Sequence, residues 1–449
     1  MLGAAATWTL PVFLEKTFFA LDAMAADALI QPATGKDGTI LVVLQMAGGN
    51  DGLNMVVPYA DDAYHVARPR LGLPPDQILK IDDYAGLNSK LTGLKSLYDE
   101  GHLAVVNGVG YPNPNRSHFR STEIWQTASD ADRTLSEGWL GRYFDNCCMG
   151  ADPTVGVAIG EETPQSFAAK TPTGVTFSRP EQFRFRSAES ANGHVSTEEI
   201  FFRQLNESGV TEETSAGNDG ASISAIPGKA KNDLSTLDFL ERTALDAQLS
   251  SDKILAIARK YHSTVLYPQG QLGASLNIIA RMIAGGLPTR VYYASQGGFD
   301  THAGQLNTHL RLMSAFNDAV SAFAADLKQQ GNFERVLLMT FSEFGRRVQE
   351  NANGGTDHGA AAPMFVLGGA VKPGLFGKYP TLSDLDRGDL IPIFAASTEQ
   401  YWTNGSRRRV RLCWGESFRN WRLCSALALR DATLPQRQRA EVKIGVSHY

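Results

Sequence analysis

The sequence has little of several features that define large classes of protein. Its 4 cysteines in 449 residues form neither a CxxC pair nor a disulfide framework. It lacks the several long apolar runs of a multi-span membrane protein. Its 42 Lys and Arg residues against 47 Asp and Glu residues give a formal charge of −5, so it has no bulk positive field for phosphate backbones. The sequence therefore argues against a disulfide scaffold, a transmembrane protein and a nucleic-acid partner.

Several well-known chemical motifs are also missing. There is no Walker phosphate loop, no HExxH and no GxSxG elbow, and GVGYPN at Gly108 lacks the third glycine of a dinucleotide fingerprint. These absences count against nucleotide-binding proteins, zincins and serine hydrolases. What is present is ordinary globular composition, with 43% hydrophobic residues, which is enough for a large packed core.

Short apolar runs flanked by Gly, Pro or Asn predict five buried strands. They are residues 39–46, 103–109, 290–295, 335–341 and 363–369. Between them, apolar residues recur at helical spacing from Leu91 to Leu97 and from Leu306 to Leu327. This alternation predicts an α/β fold with a mainly parallel central sheet and helices on both faces. The polar stretch of about 187–232 is interpreted as an exposed insertion or cap, leading into a helix near 234–261.

Chemically active side chains cluster at the predicted strand ends, where open α/β sheets bind ligands. They are Asn50 and Asp51 after the first run, Arg116, Ser117 and His118 after the second, Asp300 and His302 after the third, Glu343, Arg346 and Arg347 after the fourth, and Asp357 and His358 just before the fifth. Each has an ordinary structural explanation by itself, such as a turn, a local ion pair or a loop acid. Together they favour a metal centre, because Asp, Glu and His suit Zn²⁺, Mn²⁺ or Mg²⁺.

Two kinds of residue at these ends suggest catalysis. Ser117 precedes a predicted helix, where the positive end of the dipole and a neighbouring metal could activate its hydroxyl, so it is the candidate nucleophile; helix capping is the alternative. Arg116, or Arg346 with Arg347, could grip a tetrahedral oxyanion, although a solvated surface arginine is the more common case. The remaining histidines are interpreted as surface or satisfied core residues: His65, His102, His194, His262, His309 and His448.

Five segments of the chain resemble a known family in their order and spacing. They are LQMAGGNDGLNMVVPY, NRSHFRSTEIWQT, GGFDTHAGQ, TFSEFGRR and GGTDHGAAAPMFVLGG. The family is the exported bacterial one called domain of unknown function 1501, which is labelled sulfatase-like and grouped with the alkaline phosphatase superfamily. The resemblance covers about residues 35 to 390 and implies an alkaline-phosphatase-like fold.

The resemblance also implies roles for single residues. It makes Ser117 the nucleophile and assigns the metal ligands as Asp51, Asp300, His302, Glu343 and His358. Phe344 stands where a second ligand histidine would be expected. That departure leaves one metal site short of a ligand and counts against a two-zinc mechanism. We therefore expect a divalent cation (Zn²⁺, Mn²⁺, Mg²⁺ or Ca²⁺) without predicting a second one.

The two ends of the chain differ from the region between them. Residues 1–34 are rich in small and apolar residues and are interpreted as the remnant of an export signal, of the twin-arginine type that the family carries; a surface amphipathic helix is the alternative. Residues 35–393 form the predicted domain. From residue 394 to 449 the residue pattern changes and shows no usable period. When the codons around Trp402 and Trp414 are read in a shifted frame, they allow the sequences FRSVYGTVLDKWL and VLGGKF, which resemble the family's closing segment. We hypothesise a frameshift near Ile393.

These observations predict an exported, metal-dependent hydrolase of a phosphate or sulfate ester, acting on a small-molecule or polysaccharide ester in the periplasm or outside the cell. The alternative is a non-catalytic exported binding or surface-assembly protein with a degraded metal site, which Phe344 and the altered tail favour. A metal-dependent isomerase or mutase of phosphorylated sugars fits the same ligands.

Overall fold

The computed structural model of the protein describes residues 38–148, 152–170, 174–182, 250–377, 379, 381–392 and 394–395. The predicted export segment, the polar insertion and all but two residues of the altered tail lie outside the described residues. Within the described ranges, no helix is both long enough and apolar enough to cross a membrane.

The described chain alternates short strands and helices. The strands are β1 (Ile40–Met46), β2 (Val56–Val57), β3 (Ile78–Lys80), β4 (Gly86–Asn88), β5 (Leu103–Gly110), β6 (Gly156–Ile159), β7 (Val175–Phe177), β8 (Val291–Gln296), β9 (Val336–Phe341), β10 (Arg346–Glu350), β11 (Thr356–His358), β12 (Ala362–Leu367), β13 (Gly374–Phe376), β14 (Leu385–Asp386), β15 (Asp389–Leu390) and β16 (Phe394–Ala395). The helices are α1 (Asp62–Ala67), α2 (Thr92–Asp99), α3 (His118–Thr127), α4 (Trp139–Cys147), α5 (Gln271–Ala284) and α6 (Gln305–Gln330), and residues 250–260 are also helical. The five predicted strands and both predicted helical patterns are confirmed.

The central sheet has the order β13-β5-β12-β9-β1-β8-β6-β7, with β16 also paired to β5. β1 runs parallel to β8 and β9, and β6 runs parallel to β7 and β8. β12 is antiparallel to both of its neighbours, β5 and β9. The expected α/β class with a mainly parallel sheet is thus confirmed, with β12 the strand that reverses direction in the described sheet.

The direction of β12 decides which end of this strand meets the ligand-binding edge. Because β12 is antiparallel, its first residue lies beside the last residues of β5, where Ala362 pairs with Val109. The segment that leads into β12 therefore reaches the same edge as the segments that follow β1, β5, β8 and β9. This places His358 with the other strand-end residues, although it precedes its strand.

Helices cover both faces of the sheet because the side chains of each strand alternate between two apolar cores. In β1, Val42 and Leu44 enter one core with α2, α5 and α6, and Val43 enters the other with α3 and α4. α6 presents residues such as Phe316 to the first core and ends at Gly331, whose left-handed backbone (φ 71°) terminates the helix.

We predict that Phe316→Ala lowers the free energy of unfolding by about 3–5 kcal/mol, because it empties a fully buried site. The same substitution at Phe119, whose side chain is 90% exposed, should change it by less than about 0.5 kcal/mol. Urea unfolding followed by circular dichroism measures both, and equal losses would show that the core is misassigned.

Candidate metal centre

Four ligand-type side chains meet at the edge of the sheet where β1, β5, β8 and β9 end. One ligand atom each from His118, Asp300 and His358 lies within 4.8 Å of the others. His302 joins them, since its Nε2 is 2.9 Å from Nε2 of His358 and 3.1 Å from Oδ1 of Asp300. His118 begins α3, and Asp300 and His302 lie between β8 and α6. Residues from separate elements therefore form one cluster of metal-binding atoms, called here the donor cluster: His118, Asp300, His302 and His358.

Asp300 is the centre of this cluster. Its Oδ1 accepts a hydrogen bond of 2.8 Å from Arg346 and lies 3.1 Å from Nε2 of His358, while its Oδ2 lies 3.4 Å from Nε2 of His118. Partial burial works against ionisation, but the hydrogen bond and the positive charge of Arg346 outweigh it and lower the pKa of Asp300 to about 2. Asp300 is therefore a carboxylate at neutral pH.

The other ring nitrogen of each histidine has a partner that fixes the ring. Nδ1 of His358 donates to the backbone carbonyl of Arg116 at 2.8 Å, and Nδ1 of His118 lies 2.8 Å from Oε1 of Glu343. Nδ1 of His302 lies 3.5 Å from Oδ1 of Asp357. Histidines that bind metals are held in this way, with the remote nitrogen on a carbonyl or carboxylate and Nε2 directed at the ion.

The tautomer of His358 leaves an electrostatic conflict in the cluster. Partial burial lowers the pKa of His358 below its usual 6.5, so the ring is neutral at pH 7. Because its single proton is on Nδ1, its Nε2 presents a lone pair to Oδ1 of Asp300, which is also an acceptor. Two acceptors 3.1 Å apart repel each other unless a proton or a cation lies between them.

The spacing and the chemistry of these donors fit a divalent cation. Ligands held 2.0–2.1 Å from a tetrahedral metal lie about 3.3 Å from each other. The distances among Asp300, His302 and His358 are 2.9 to 3.1 Å. In addition, Nε2 of His118 and Oε2 of Glu343 are buried without a hydrogen-bond partner in the described part of the chain. Nitrogen and oxygen donors of this kind suit Zn²⁺ or Mn²⁺.

A glycine-rich turn after β1 lets the backbone approach this cluster. The amide of Gly48 donates to Oε1 of Glu343 at 2.8 Å. Gly48 has φ 118°, and a Cβ added there would lie 2.4 Å from the amide nitrogen of Asp300. A Cβ at Gly49 would lie 2.3 Å from the Phe344 ring. Neither position can hold a side chain, which explains the two glycines of the AGGND segment.

Asp51, predicted as a metal ligand, is not among the residues that form this cluster in the described part of the chain. It is buried, and its Oδ2 accepts a 2.6 Å hydrogen bond from Arg68, which is also fully buried. Gln305 donates to the same oxygen. Burial opposes the charge, but Arg68 lowers the pKa of Asp51 and keeps it ionised. The described cluster therefore forms without Asp51, although its Oδ1 has no hydrogen-bond partner among the described residues.

Two of the three arginines predicted to grip an oxyanion, Arg116 and Arg346, make other contacts in the structure. Arg346 is buried, and its guanidinium donates to the backbone carbonyls of Gly49, Thr356 and Phe299 as well as to Asp300. Arg346 therefore stabilises the turn after β1 and orients the carboxylate of Asp300. The side chain of Arg116 forms an ion pair with Asp389, while its carbonyl orients His358.

Ser117 lies beside the cluster with its side chain exposed. It is the N-cap residue of α3, but its hydroxyl makes no capping hydrogen bond, which removes the alternative that it serves only as a cap. Phe344 is buried, with its ring centroid 4.9 Å from that of His118 and 4.5 Å from that of His358. It packs against two histidines and cannot bind a metal.

Three residues that shape the site were not predicted as ligands or catalytic groups: His118, Arg68 and Gln305. His118 was visible in the NRSHF segment, directly after the candidate nucleophile. No sequence motif marks Arg68 or Gln305. They contact Asp51 only in the folded chain, Arg68 from the end of α1 and Gln305 from the start of α6. Glu343, which was predicted as a ligand, contacts the cluster through Nδ1 of His118.

A large cleft of about 1570 Å³ opens next to the cluster. His118, Asp300 and Glu343 form part of its wall, and residues around Gly160 and Gln271 also line it. A ligand in this cleft could therefore contact the donor cluster.

His309 provides a measurable pH dependence of stability. Burial lowers the pKa of His309 to about 4, and its Nε2 donates to Oδ1 of Asn50 at 3.0 Å, which confirms it as a satisfied core residue. Between about pH 6.5 and 4 the unfolded chain binds a proton that the folded chain does not, so stability falls as the pH falls, by at most about 1.4 kcal/mol per pH unit.

We predict that His309→Gln makes the plot of unfolding free energy against pH flatter in this window. Urea unfolding at several pH values measures it, with His65→Gln, an exposed histidine, as the matched control. An unchanged slope in His309→Gln would contradict the assignment.

Comparison with known proteins gives one family and several distant structures. No curated protein matches the chain. Matching structures include the C-terminal periplasmic domain of EcEptC from Escherichia coli in complex with Zn (11% identity, 74% of this chain and 72% of that chain, TM-score 0.30) and the lipoteichoic acid synthase LtaP from Listeria monocytogenes (10%, 85% and 80%, 0.35). Another is the alkaline phosphatase from the Antarctic bacterium TAB5 (12%, 75% and 94%, 0.30). TM-scores this low do not establish a shared activity.

One protein-family model matches the chain. The model described as "Protein of unknown function (DUF1501)" matches residues 104–389, which include the segments of α3, β8, β9 and β11 that build the cluster. This match confirms the resemblance predicted from the sequence motifs. The chain belongs to the DUF1501 family.

Proposed function

We propose that this protein is an exported, metal-dependent hydrolase of a phosphate or sulfate ester. The observation that carries the proposal is the set of Asp300, His302 and His358, whose ligand-type atoms lie 2.9 to 3.1 Å apart beside an open cleft. A cation among these atoms relieves the repulsion between the Asp300 carboxylate and Nε2 of His358, and a site that holds such a charge beside a cleft is suited to an anionic ester.

Each residue of the site has a defined task in this proposal. Asp300, His118, His302 and His358 hold the cation, and Glu343 fixes the ring of His118. When bound, the cation polarises the ester and lowers the pKa of a coordinated hydroxyl or water. Asp51 and Glu343 stay in the proposal as carboxylates that balance charge nearby.

Ser117 is the proposed nucleophile. It lies between Arg116, whose carbonyl holds His358, and His118, which belongs to the cluster, so its backbone is anchored on both sides. Its hydroxyl gives up a proton and its oxygen forms a bond to phosphorus or sulfur, while the bond to the ester oxygen breaks and the leaving alcohol takes up a proton. Water then attacks the same phosphorus or sulfur, the bond to the serine oxygen breaks, and phosphate or sulfate is released as the serine oxygen regains a proton.

The start of α3 supplies the donors that the two arginines do not. The first amide groups of a helix have no partner within it, and Ser117 does not cap them with its side chain. These N–H groups and the positive end of the helix dipole are suited to hold the oxygen atoms of a tetrahedral anion. They stabilise the charge that develops during transfer.

The second candidate is a non-catalytic exported protein that retains the fold and a degraded site. Phe344 favours it, because a phenyl ring packs beside His118 and His358 at the position where the family resemblance implies another ligand. Export itself, by a twin-arginine signal to the periplasm or the cell exterior, rests on the family resemblance.

A sugar-phosphate mutase would retain metal but hydrolyse no ester.

We predict that the protein binds a divalent metal and hydrolyses an aryl phosphate or an aryl sulfate. The purified protein is loaded in turn with Zn²⁺, Mn²⁺, Mg²⁺ and Ca²⁺, and metal content and turnover are measured. Ser117→Ala should retain the metal and lose turnover by at least about 10²-fold, because the nucleophile is gone. Ser136→Ala, at an exposed serine away from the cluster, is the matched control.

Metal binding and turnover are read separately in this experiment. His358→Ala should lose both, since it removes one of the converging nitrogen atoms. Bound metal without hydrolysis of any ester would support the binding protein or the mutase, and the absence of bound metal would contradict the site itself.

A further inference from the structure

The cleft beside the cluster has a polar floor. Gln45, Gln126 and Tyr293 line it and are each more than nine-tenths buried. The hydroxyl of Tyr293 donates to Oε1 of Gln45, and the Gln126 amide donates to the Tyr293 hydroxyl at 3.1 Å. Amide and hydroxyl groups that already bond to each other retain further donor and acceptor capacity toward the cleft. A floor of this kind suits a ligand rich in hydroxyl groups better than an aromatic or aliphatic one.

An exposed aromatic ring stands at the mouth of this cleft. Phe119 lines it and is 90% exposed, although it follows His118 directly in α3. Because this ring is exposed next to the donor cluster, a ligand that packs on it removes apolar surface from water, which favours binding. The aliphatic C–H face of a sugar ring can pack on such a ring while its hydroxyl groups reach the polar walls.

The charges in the cleft restrict the ligand further. Glu161 and Glu162 are exposed on its wall, whereas Glu123 is paired with Arg120 at 2.8 Å. Arg179 is the one arginine or lysine lining the cleft in the described ranges. A ligand with many sulfate or phosphate groups would meet unpaired carboxylates away from the cation site and be repelled.

From these observations, we infer that the cleft takes a sugar ring that carries a single phosphate or sulfate ester and no other negative charge. Phe119 contacts the face of the ring, the glutamine and glutamate side chains of the cleft bind its hydroxyl groups, and the ester group points at the donor cluster. This inference rests on the proposed hydrolase function and names its substrate class.

Calorimetry with metal-loaded Ser117→Ala protein tests the inference by binding rather than turnover. Glucose 6-phosphate and glucose 6-sulfate should bind more tightly than the 4-nitrophenyl esters, and glucose 1,6-bisphosphate should bind more weakly than glucose 6-phosphate. Adding Phe119→Ala should raise the Kd of the sugar monoesters by about two- to tenfold. Adding Leu266→Ala, where the side chain is 94% exposed but outside the cleft, should leave it unchanged.

A ligand without an ester separates this inference from the proposed function. Saturation-transfer NMR with methyl glucoside should show contact in the wild-type and Leu266→Ala proteins and lose it in Phe119→Ala. Sugar contact without hydrolysis of any ester would overturn only the hydrolase proposal. Hydrolysis of aryl esters with no sugar contact, or tighter binding of the bisphosphate, would overturn only the sugar assignment.

Discussion

The site depends on one electrostatic constraint, which is that Nε2 of His358 and Oδ1 of Asp300 face each other without a proton between them. The single proton of neutral His358 is on Nδ1, which donates to the Arg116 carbonyl. Its Nε2 and the carboxylate of Asp300, 3.1 Å apart, therefore repel each other unless positive charge lies nearby. Arg346 supplies part of that charge at 2.8 Å from Asp300. The remaining conflict is what a divalent cation, held also by the neighbouring Nε2 of His302, would relieve.

Two features of the fold bring these atoms together: the direction of the strands and the close approach of the backbone after β1. Parallel strands bring the residues after β1, β5, β8 and β9 to one edge, and the reversed β12 brings the preceding hairpin of β10 and β11 to the same edge. Gly48 lets the turn after β1 approach Asp300 so closely that no side chain could fit. The buried pair of Arg68 and Asp51 supports this turn from the other side.

Much of this arrangement could be predicted from sequence because it is encoded locally. Apolar runs mark the strands, and polar residues next to them mark the edge, so the grouping of Asp300, His302 and His358 at this edge is predictable from the sequence. The roles of Asp51, Arg116 and Arg346 could not be predicted this way, because they depend on partners distant in the chain: Arg68, Asp389 and a set of backbone carbonyls. Residue type and spacing do not reveal whether a charge is already paired in the folded state.

The most direct test of the account is an anomalous difference map from crystals of the protein soaked in Zn²⁺, with data collected on both sides of the zinc absorption edge. We expect a peak within coordination distance of Asp300 and of Nε2 of His302 and His358. A map with no peak there, or with its strongest peak at Asp51 and the three histidines unliganded, would contradict the central claim that these acceptor atoms share a cation.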